Sequence, residues 1–473
     1  MRRLVLIAGP LVMVLAALPA SGQAVPAFGA CERANELPPG APVNVELANV
    51  SDTELIVTWL TCQAGAPVEA DSSILYGPEN GNTTQVIAPG RRAFHYMRIT
   101  GLEPGTRYTY TVLSNGIPAP RDRLNPGVFI TLTPPGGKEL FRFSVLADVH
   151  LGETVSGLAT STPTELPPGY RSDRPYPEVM LEAAVAGTDK ERASLTLLPA
   201  DNSSHGERHQ LEEARRVLSG LDGRYLMARG AHDRPNQYEG ATAECGPDGD
   251  CFREVFRPKM RVTGEPQQAP QAINHRGWMF IALDSADLAT GLGRLSADQL
   301  QWLEAKLEKA KRKKRPAVVL FHHPVSEYST TFAVPPGVLG VNQADAQAFL
   351  ELVGRYDVRL VINSHTHRNW ISYSPHTGRM PILEVGPTKE YPGGYSIFRV
   401  YRDGLIREWI PLDCDFCRAW RETTRGEYLS LYPLYTTGSL RERSFVHRFD
   451  GPDVPGIPSL PLGLWPPVLP GQA

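Results

Sequence analysis

Five short blocks carry the side chains capable of chemistry. Asp148 and His150 close the run FRFSVLADVH, Asp201-Asn202 closes ASLTLLPADN, and Gly230-Ala231-His232-Asp233 closes GRYLMARGAHD. His322-His323-Pro324 ends PAVVLFHHP, and Ser364-His365-Thr366-His367 ends VRLVINSHTH. Each block follows an apolar run of strand character. Titratable groups are costly to bury unpaired, and a lone strand-end histidine is ordinarily a hydrogen-bonded loop residue. Five apolar strands that all end in Asp or His need another explanation. At the carboxyl edge of a parallel-type sheet such ends meet in the crevice where ligands bind. The pooled imidazoles and carboxylates form a mixed N and O donor set, suited to zinc, manganese or iron. A pool this rich predicts two divalent cations bridged by one carboxylate, about 3.5–4 Å apart.

The elements that must position these blocks change character along the chain. From residue 42 to about 134, VNVELANV, ELIVTWLTC, SSILYG, FHYMRITGL, TRYTYTVL and GVFITLT read as short strands separated by turn residues. Trp59 sits mid-strand as a core aromatic, and Tyr108 follows a Leu-x-Pro-Gly-Thr turn as a tyrosine corner would. This stretch resembles a fibronectin type III domain. After the turn-rich TPPGGKE (Thr133–Glu139), apolar strands alternate with amphipathic helices, the pattern of an α/β domain. One helix is marked by a Ser296/Gln299 capping box and a Leu300, Leu303, Leu307 face, and ends before Pro316. From about Asp450 the chain turns Pro- and Gly-rich and should be irregular.

In their order the five blocks resemble the D-x-H, G-D, G-N-H-[DE], H before P, and G-H-x-H series of the calcineurin-like metallophosphoesterase family, over about Phe141 to Trp409. A fibronectin-like module in front is similar to the layout of purple acid phosphatases. The resemblance implies an α/β metallophosphoesterase sandwich of mixed β-sheets flanked by helices, preceded by an all-β fibronectin III-like sandwich. The expected divisions are a signal peptide over 1–22, the front domain over 41–135, the metallophosphoesterase domain over 139–413 and an extension over 414–473. Carried over by motif, Asp148, His150 and His367 hold the first metal, Asp201 bridges, and His322 and His365 hold the second. His322, two before the proline, is the implied ligand rather than His323. His232 protonates the leaving oxygen and Asp233 orients it. Two cations would lower the pKa of a bridging water for in-line attack on a phosphomonoester or phosphodiester.

Three positions depart from the family pattern. Ala200 and Ser364 replace glycines before Asp201 and His365 and cost backbone freedom. Ala231 stands where the family has an asparagine ligand, so the second site is expected to be weak unless Asn202 or Asn236 reaches it. The alternative reading is a catalytically impaired binding or structural protein. Ser204 occupies the position of the tyrosine that colours purple acid phosphatases, so a colourless centre is expected. Arg208, Arg234 and Arg368 lie beside the motifs as candidate phosphate clamps, with a structural role the plainer reading of each. The segments from Glu153 to Pro177 and from Arg234 to Arg261 are candidate walls of the site.

The 473 residues are 41% apolar and 21% charged with net charge −3, an ordinary globular balance with no general attraction to nucleic acid. The basic KAKRKKR run complements a helix carboxyl end. The opening MRRLVLIAGPLVMVLAALPASGQA reads as a cleaved secretory signal, which implies a secreted or periplasmic protein with no membrane span. Six cysteines suit that compartment. Cys245/Cys251 and Cys414/Cys417 are close pairs, with Cys31 and Cys62 a possible third.

Overall fold

A computed structural model of the chain describes residues 31, 37–156, 166, 169–256, 268–331, 337–427 and 432–450. The expected signal over residues 1–22 and the tail beyond Asp450 lie outside the described residues.

Two antiparallel sheets make the front domain. One contains Ala41–Val50, Glu54–Gln63, Ala66–Pro67 and Phe94–Thr100; the other contains Thr84–Arg92, Ala70–Pro78, Arg107–Ser114, Ile117–Pro118 and Val128–Ile130. Arg107–Ser114 alternates buried with more open positions, as a half-buried strand does. It sends Tyr108, Tyr110 and Val112 into a core with Trp59, Ile74 and Phe129. Trp59 Nε1 donates to Ser114 Oγ at 3.0 Å, so the indole is buried without an orphaned N–H. Tyr108 Oη accepts the Glu103 amide at 3.0 Å, which is the tie a tyrosine corner makes.

The second part is built on two six-stranded sheets. Glu139–Val145, Leu195–Leu198 and Arg224–Met227 run parallel in one. Trp278–Ala282, Ala317–Leu320, Val358–Asn363 and Ile382–Glu384 run parallel in the other. Antiparallel strands complete both sheets. Their inner faces meet in one apolar layer containing Phe143, Phe280, Leu320, Ile362 and Phe398. Helices Tyr176–Lys190 and Arg208–Leu218 cover one outer face, Ala297–Arg312 and Gln343–Val353 the other. The architecture is therefore an α/β sandwich of mixed sheets flanked by helices, behind an all-β fibronectin-like domain.

Register brings the strand ends level. Val145 stands beside Leu197, and Leu197 beside Leu226; Leu320 stands beside Ala282 and Ile362. All five blocks consequently leave the sheets at one edge. The strand Phe445–Arg448 adds to the same sheet as Gly404–Pro411, so part of the 414–473 extension completes that sheet. Buried Glu46 of the front domain accepts from Arg443 at 2.7 Å and from Tyr391 at 2.8 Å, which fastens the two parts together.

The helix Ala297–Arg312 corrects one detail. Ser296 accepts the Gln299 amide at 3.3 Å, but the Gln299 side chain does not return to close the box. It bonds the Asp284 backbone on both sides, at 2.6 and 2.8 Å. Gln299 is fully buried, and the buried strand-end backbone at Asp284 needs both a donor and an acceptor, which the amide supplies. The three disulfides are Cys31–Cys62, Cys245–Cys251 and Cys414–Cys417.

Candidate metal centre

Five of the eight nominated residues hold left-handed backbone: Asp148 (φ 46°), His150 (49°), Asp201 (49°), His365 (70°) and His367 (51°). Such conformations are costly outside glycine and persist where the surroundings over-determine them. Here the strand-end loops are stitched to one another. The amides of Val149 and His150 both donate to the Asp201 carbonyl, at 2.9 and 3.0 Å, and Leu151 N donates to Asn202 O at 3.1 Å. His365 N crosses between sheets to Asp148 Oδ1 at 3.1 Å.

Asp201 lies at the middle. Its Oδ2 is 3.5 Å from His150 Nε2 and 3.3 Å from His322 Nε2, and its Oδ1 accepts the His232 amide at 2.9 Å. His367 Nε2 is 3.9 Å from Asp148 Oδ1. Potential ligand atoms of Asp148, His150 and His367 lie within 4.8 Å of one another, as do those of Asp148, Asp201 and His322. His365 groups with His322 and His323 at the same spacing. The six nominated metal residues are thus brought together.

His232 is exposed beside them, its ring centroid 4.6 Å from that of His150. Its Nδ1 faces the Ser204 carbonyl at 2.7 Å. Asp233 stands one step further back than the resemblance implies. Its carboxylate accepts from Ser203 Oγ at 2.6 Å, Asn202 Nδ2 at 2.9 Å and the Gly230 amide at 3.0 Å. The acid therefore fixes the 202–204 loop, and that loop's carbonyl orients the imidazole.

Burial dominates the electrostatics. It pushes Asp148 up and Asp201 up to about 7, with Asp233 and Asp148 adding repulsion on Asp201. Burial likewise pushes His150 and His322 well below the usual imidazole range, and His365 to about 4. His367 moves the other way, because Asp148 and Glu390 outweigh its burial. Neutral imidazoles are the form that ligates a metal, and buried carboxylates that resist ionisation lack a cation. Asp148 Oδ2, both nitrogens of His150, and Nε2 of His322 and of His323 are buried without a hydrogen-bond partner among the described residues. Orphaned donor atoms converging from both sheets fit a metal centre.

Other residues stand where the sequence did not point, or do not reach where it did. His323, set aside in favour of its neighbour, has its Nδ1 3.1 Å from Ser285 Oγ and its ring 4.6 Å from that of His365. Glu153, Lys389 and Glu390 back the first group, though no strand-end signal marks the last two. Asn202 Nδ2 donates to Asp233 at 2.9 Å while its Oδ1 is buried without a hydrogen-bond partner among the described residues, and Asn236 donates to the Asp248 carbonyl at 2.9 Å. Arg208 is bonded to the Glu244 carbonyl, Arg234 to those of Ala231 and Ala289, and buried Arg368 to Glu384. Residues Arg234–Gln237 line a cavity of about 760 Å³ with Ala286–Ala289 and Arg294.

Residues 40–120 match the fibronectin type III domain family. Over 245 residues the chain is 32% identical to a probable cyclic nucleotide phosphodiesterase of Synechococcus, which takes in 49% of this chain and 83% of that protein. Over 136 residues it is 29% identical to the glycerophosphodiester phosphodiesterase GpdQ of Enterobacter lignolyticus, 28% of this chain and 43% of GpdQ. A dimetal phosphatase from Danio rerio superposes on 57% of this chain and 96% of its own, at 14% identity and a TM-score of 0.42. The chain belongs to the metallophosphoesterase family, with a fibronectin type III domain in front. It is a metal-dependent phosphoric ester hydrolase.

Proposed function

We propose that the chain hydrolyses a small phosphoester at a two-metal centre, with phosphodiesters the first class to test because both curated relatives are named for them. The observation that carries this reading is the placement of Asp201 between His150 and His322, one imidazole from each sheet. Asp148, His150 and His367 would hold the first cation, His322 and His365 the second, and Asp201 would serve both. When bound, the cations supply the charge that lowers the pKa of an attacking water and neutralises the phosphoryl oxygens. With Nδ1 of His232 occupied by the Ser204 carbonyl, Nε2 is left to handle the proton of the leaving oxygen. Asp233 holds the loop that keeps it there.

The second site is the weaker one, because Ala231 offers no amide oxygen and Asn236 is engaged elsewhere. The three disulfides favour an oxidising compartment, in keeping with secretion or a periplasmic location. Among the described residues no helix is long and apolar enough to cross a membrane. Metal content and hydrolysis of an aryl phosphate and an aryl phosphodiester, measured with added manganese or zinc, test the reading. Metal-dependent turnover that Asp201→Asn abolishes is expected; turnover indifferent to chelators would overturn it.

A further inference from the structure

Both imidazoles of the first metal group have a carboxylate behind them. His367 Nδ1 lies 2.7 Å from Glu390 Oε1, and His150 Nδ1 lies 3.4 Å from Glu153 Oε2. Their Nε2 atoms face the other way, toward Asp148 and Asp201 at 3.9 and 3.5 Å. Lys389 joins the two carboxylates. Its Nζ is 2.6 and 2.8 Å from the oxygens of Glu153 and 3.0 Å from Glu390 Oε2. Lys389 and Glu390 are 3% and 1% exposed, so this end of the chain of charges is shielded from water. Tyr176 Oη donates to Glu153 at 2.6 Å, Ser156 Oγ to Glu390 at 2.7 Å, and Tyr432 Oη also donates to Glu390.

A buried carboxylate without a partner is expensive. Here each of the two carboxylates lies in direct contact with the Lys389 ammonium. Among the described residues the second metal group has nothing comparable. His322 Nδ1 faces the Ser364 hydroxyl at 3.2 Å and His365 Nε2 the Val338 carbonyl at 2.8 Å, both uncharged.

We propose that Glu153, Lys389 and Glu390 act as one positioning bridge for the first cation. Glu390 keeps the proton of His367 on Nδ1 and turns its Nε2 toward the metal, while Glu153 stands behind His150 at 3.4 Å without a hydrogen bond to it. Lys389 ties the two carboxylates together, so Glu390 cannot follow a swing of the His367 ring without breaking a buried ion pair. Carboxylates behind ligating histidines raise ligand basicity and set the tautomer. First-site affinity thus depends on residues that never touch the metal.

The inference rests on the metal reading of the centre, and cobalt binding separates the two. Full-length protein, stripped of metal, is titrated with Co²⁺ by calorimetry and visible absorption, comparing wild type with Glu390→Gln, Glu390→Asp, Glu153→Gln and Lys389→Met. Glu46→Gln, a buried acid at the front-domain interface, is the control. Glu390→Gln should weaken the tighter binding event about 10–100-fold and shift its absorption band. Glu390→Asp should recover part of both, and Glu46→Gln should leave both alone. Wild-type affinity and bands in Glu390→Gln and Glu153→Gln, or loss confined to the weaker event, would overturn the bridge. If Glu390→Gln does not fold, Glu153→Gln, at the more open end, decides by the same readouts. Wild type that takes up no cobalt would remove the metal reading itself.

Discussion

A methyl group on Gly230 would overlap Oδ1 and the amide nitrogen of Asp201 and come within 2.8 Å of its Cγ. The glycine therefore decides where the central carboxylate can sit, and the reason is close approach rather than an unusual backbone angle. Gly230→Ala should leave both sheets intact and displace Asp201 from between His150 and His322. A misplacement of about 1 Å at reacting groups can cost about 100-fold in rate. At least that loss in kcat is expected, together with reduced metal content and an unchanged circular-dichroism spectrum. Wild-type turnover in the variant would show that Asp201 is not needed where it stands.

Ala231 lies in the short turn Ala231–Asp233, and its carbonyl is pinned by Arg234 Nε at 2.7 Å and Gln237 Nε2 at 3.2 Å. The backbone at this position is thus set independently of the side chain, and the residue is only half-buried. Ala231→Asn should place an amide oxygen at the second site without remodelling the turn. Second-site affinity is expected to tighten about 10–100-fold, the range seen when ligand-supporting groups are lost or gained, with higher turnover at limiting metal. Two-event metal titration checks this. Unchanged affinity would mean that the centre already completes the second site from another residue.

Much of this arrangement is legible before any coordinates. Apolar runs of four to seven residues ending in Asp or His mark both the parallel strands and the ligand edge, because strand interiors admit few alternatives to Val, Leu, Ile and Phe. Asp148, Asp201, His322 and His365 sit where that pattern puts them. What is not legible is anything set by side-chain direction. Gln299 has the spacing of a capping residue yet turns to Asp284. Asp233 is adjacent to His232 in sequence yet serves the loop before it. Lys389 and Glu390 lie more than twenty residues beyond His367 in a Pro- and Gly-rich stretch, and only tertiary folding brings them behind its ring.

Ser204 is buried, and its backbone rather than its side chain meets the site, through the carbonyl that holds His232. Tyr432 comes close to His367, but on the Nδ1 side at 3.4 Å, away from the metal-facing Nε2. Neither position offers a phenolate ligand. Protein loaded with ferric iron should consequently show no intense visible charge-transfer band, and with manganese(II) or zinc no colour. A strong visible band on iron loading would place a tyrosine oxygen on the metal and overturn the ligand set.

Asp201 also sets a pH dependence in the metal-free protein. Burial, with Asp233 and Asp148, raises its carboxyl from 3.8 to about 7. A group raised in the folded state contributes stability that is complete below its unfolded value and lost as pH climbs through the folded one. The cost from Asp201 therefore builds between pH 4 and 7 and is complete at pH 8. His365, lowered from 6.5 to about 4 by burial, works in the opposite sense and costs stability only as pH falls below its unfolded value. Asp201→Asn removes the buried charge while its side-chain oxygen can still accept the His232 amide. Metal-free Asp201→Asn should be more stable than metal-free wild type by on the order of 2 kcal/mol at pH 8, and the gain should shrink toward pH 4. Added manganese should raise the melting temperature of wild type at pH 8 and leave the variant where it was, because a cation is the partner that makes the ionised carboxylate tolerable. Thermal unfolding at the two pH values, with and without metal, reads all three effects. A variant that is equally destabilised at both pH values would show that Asp201 holds the fold through its hydrogen bond and not the metal through its charge.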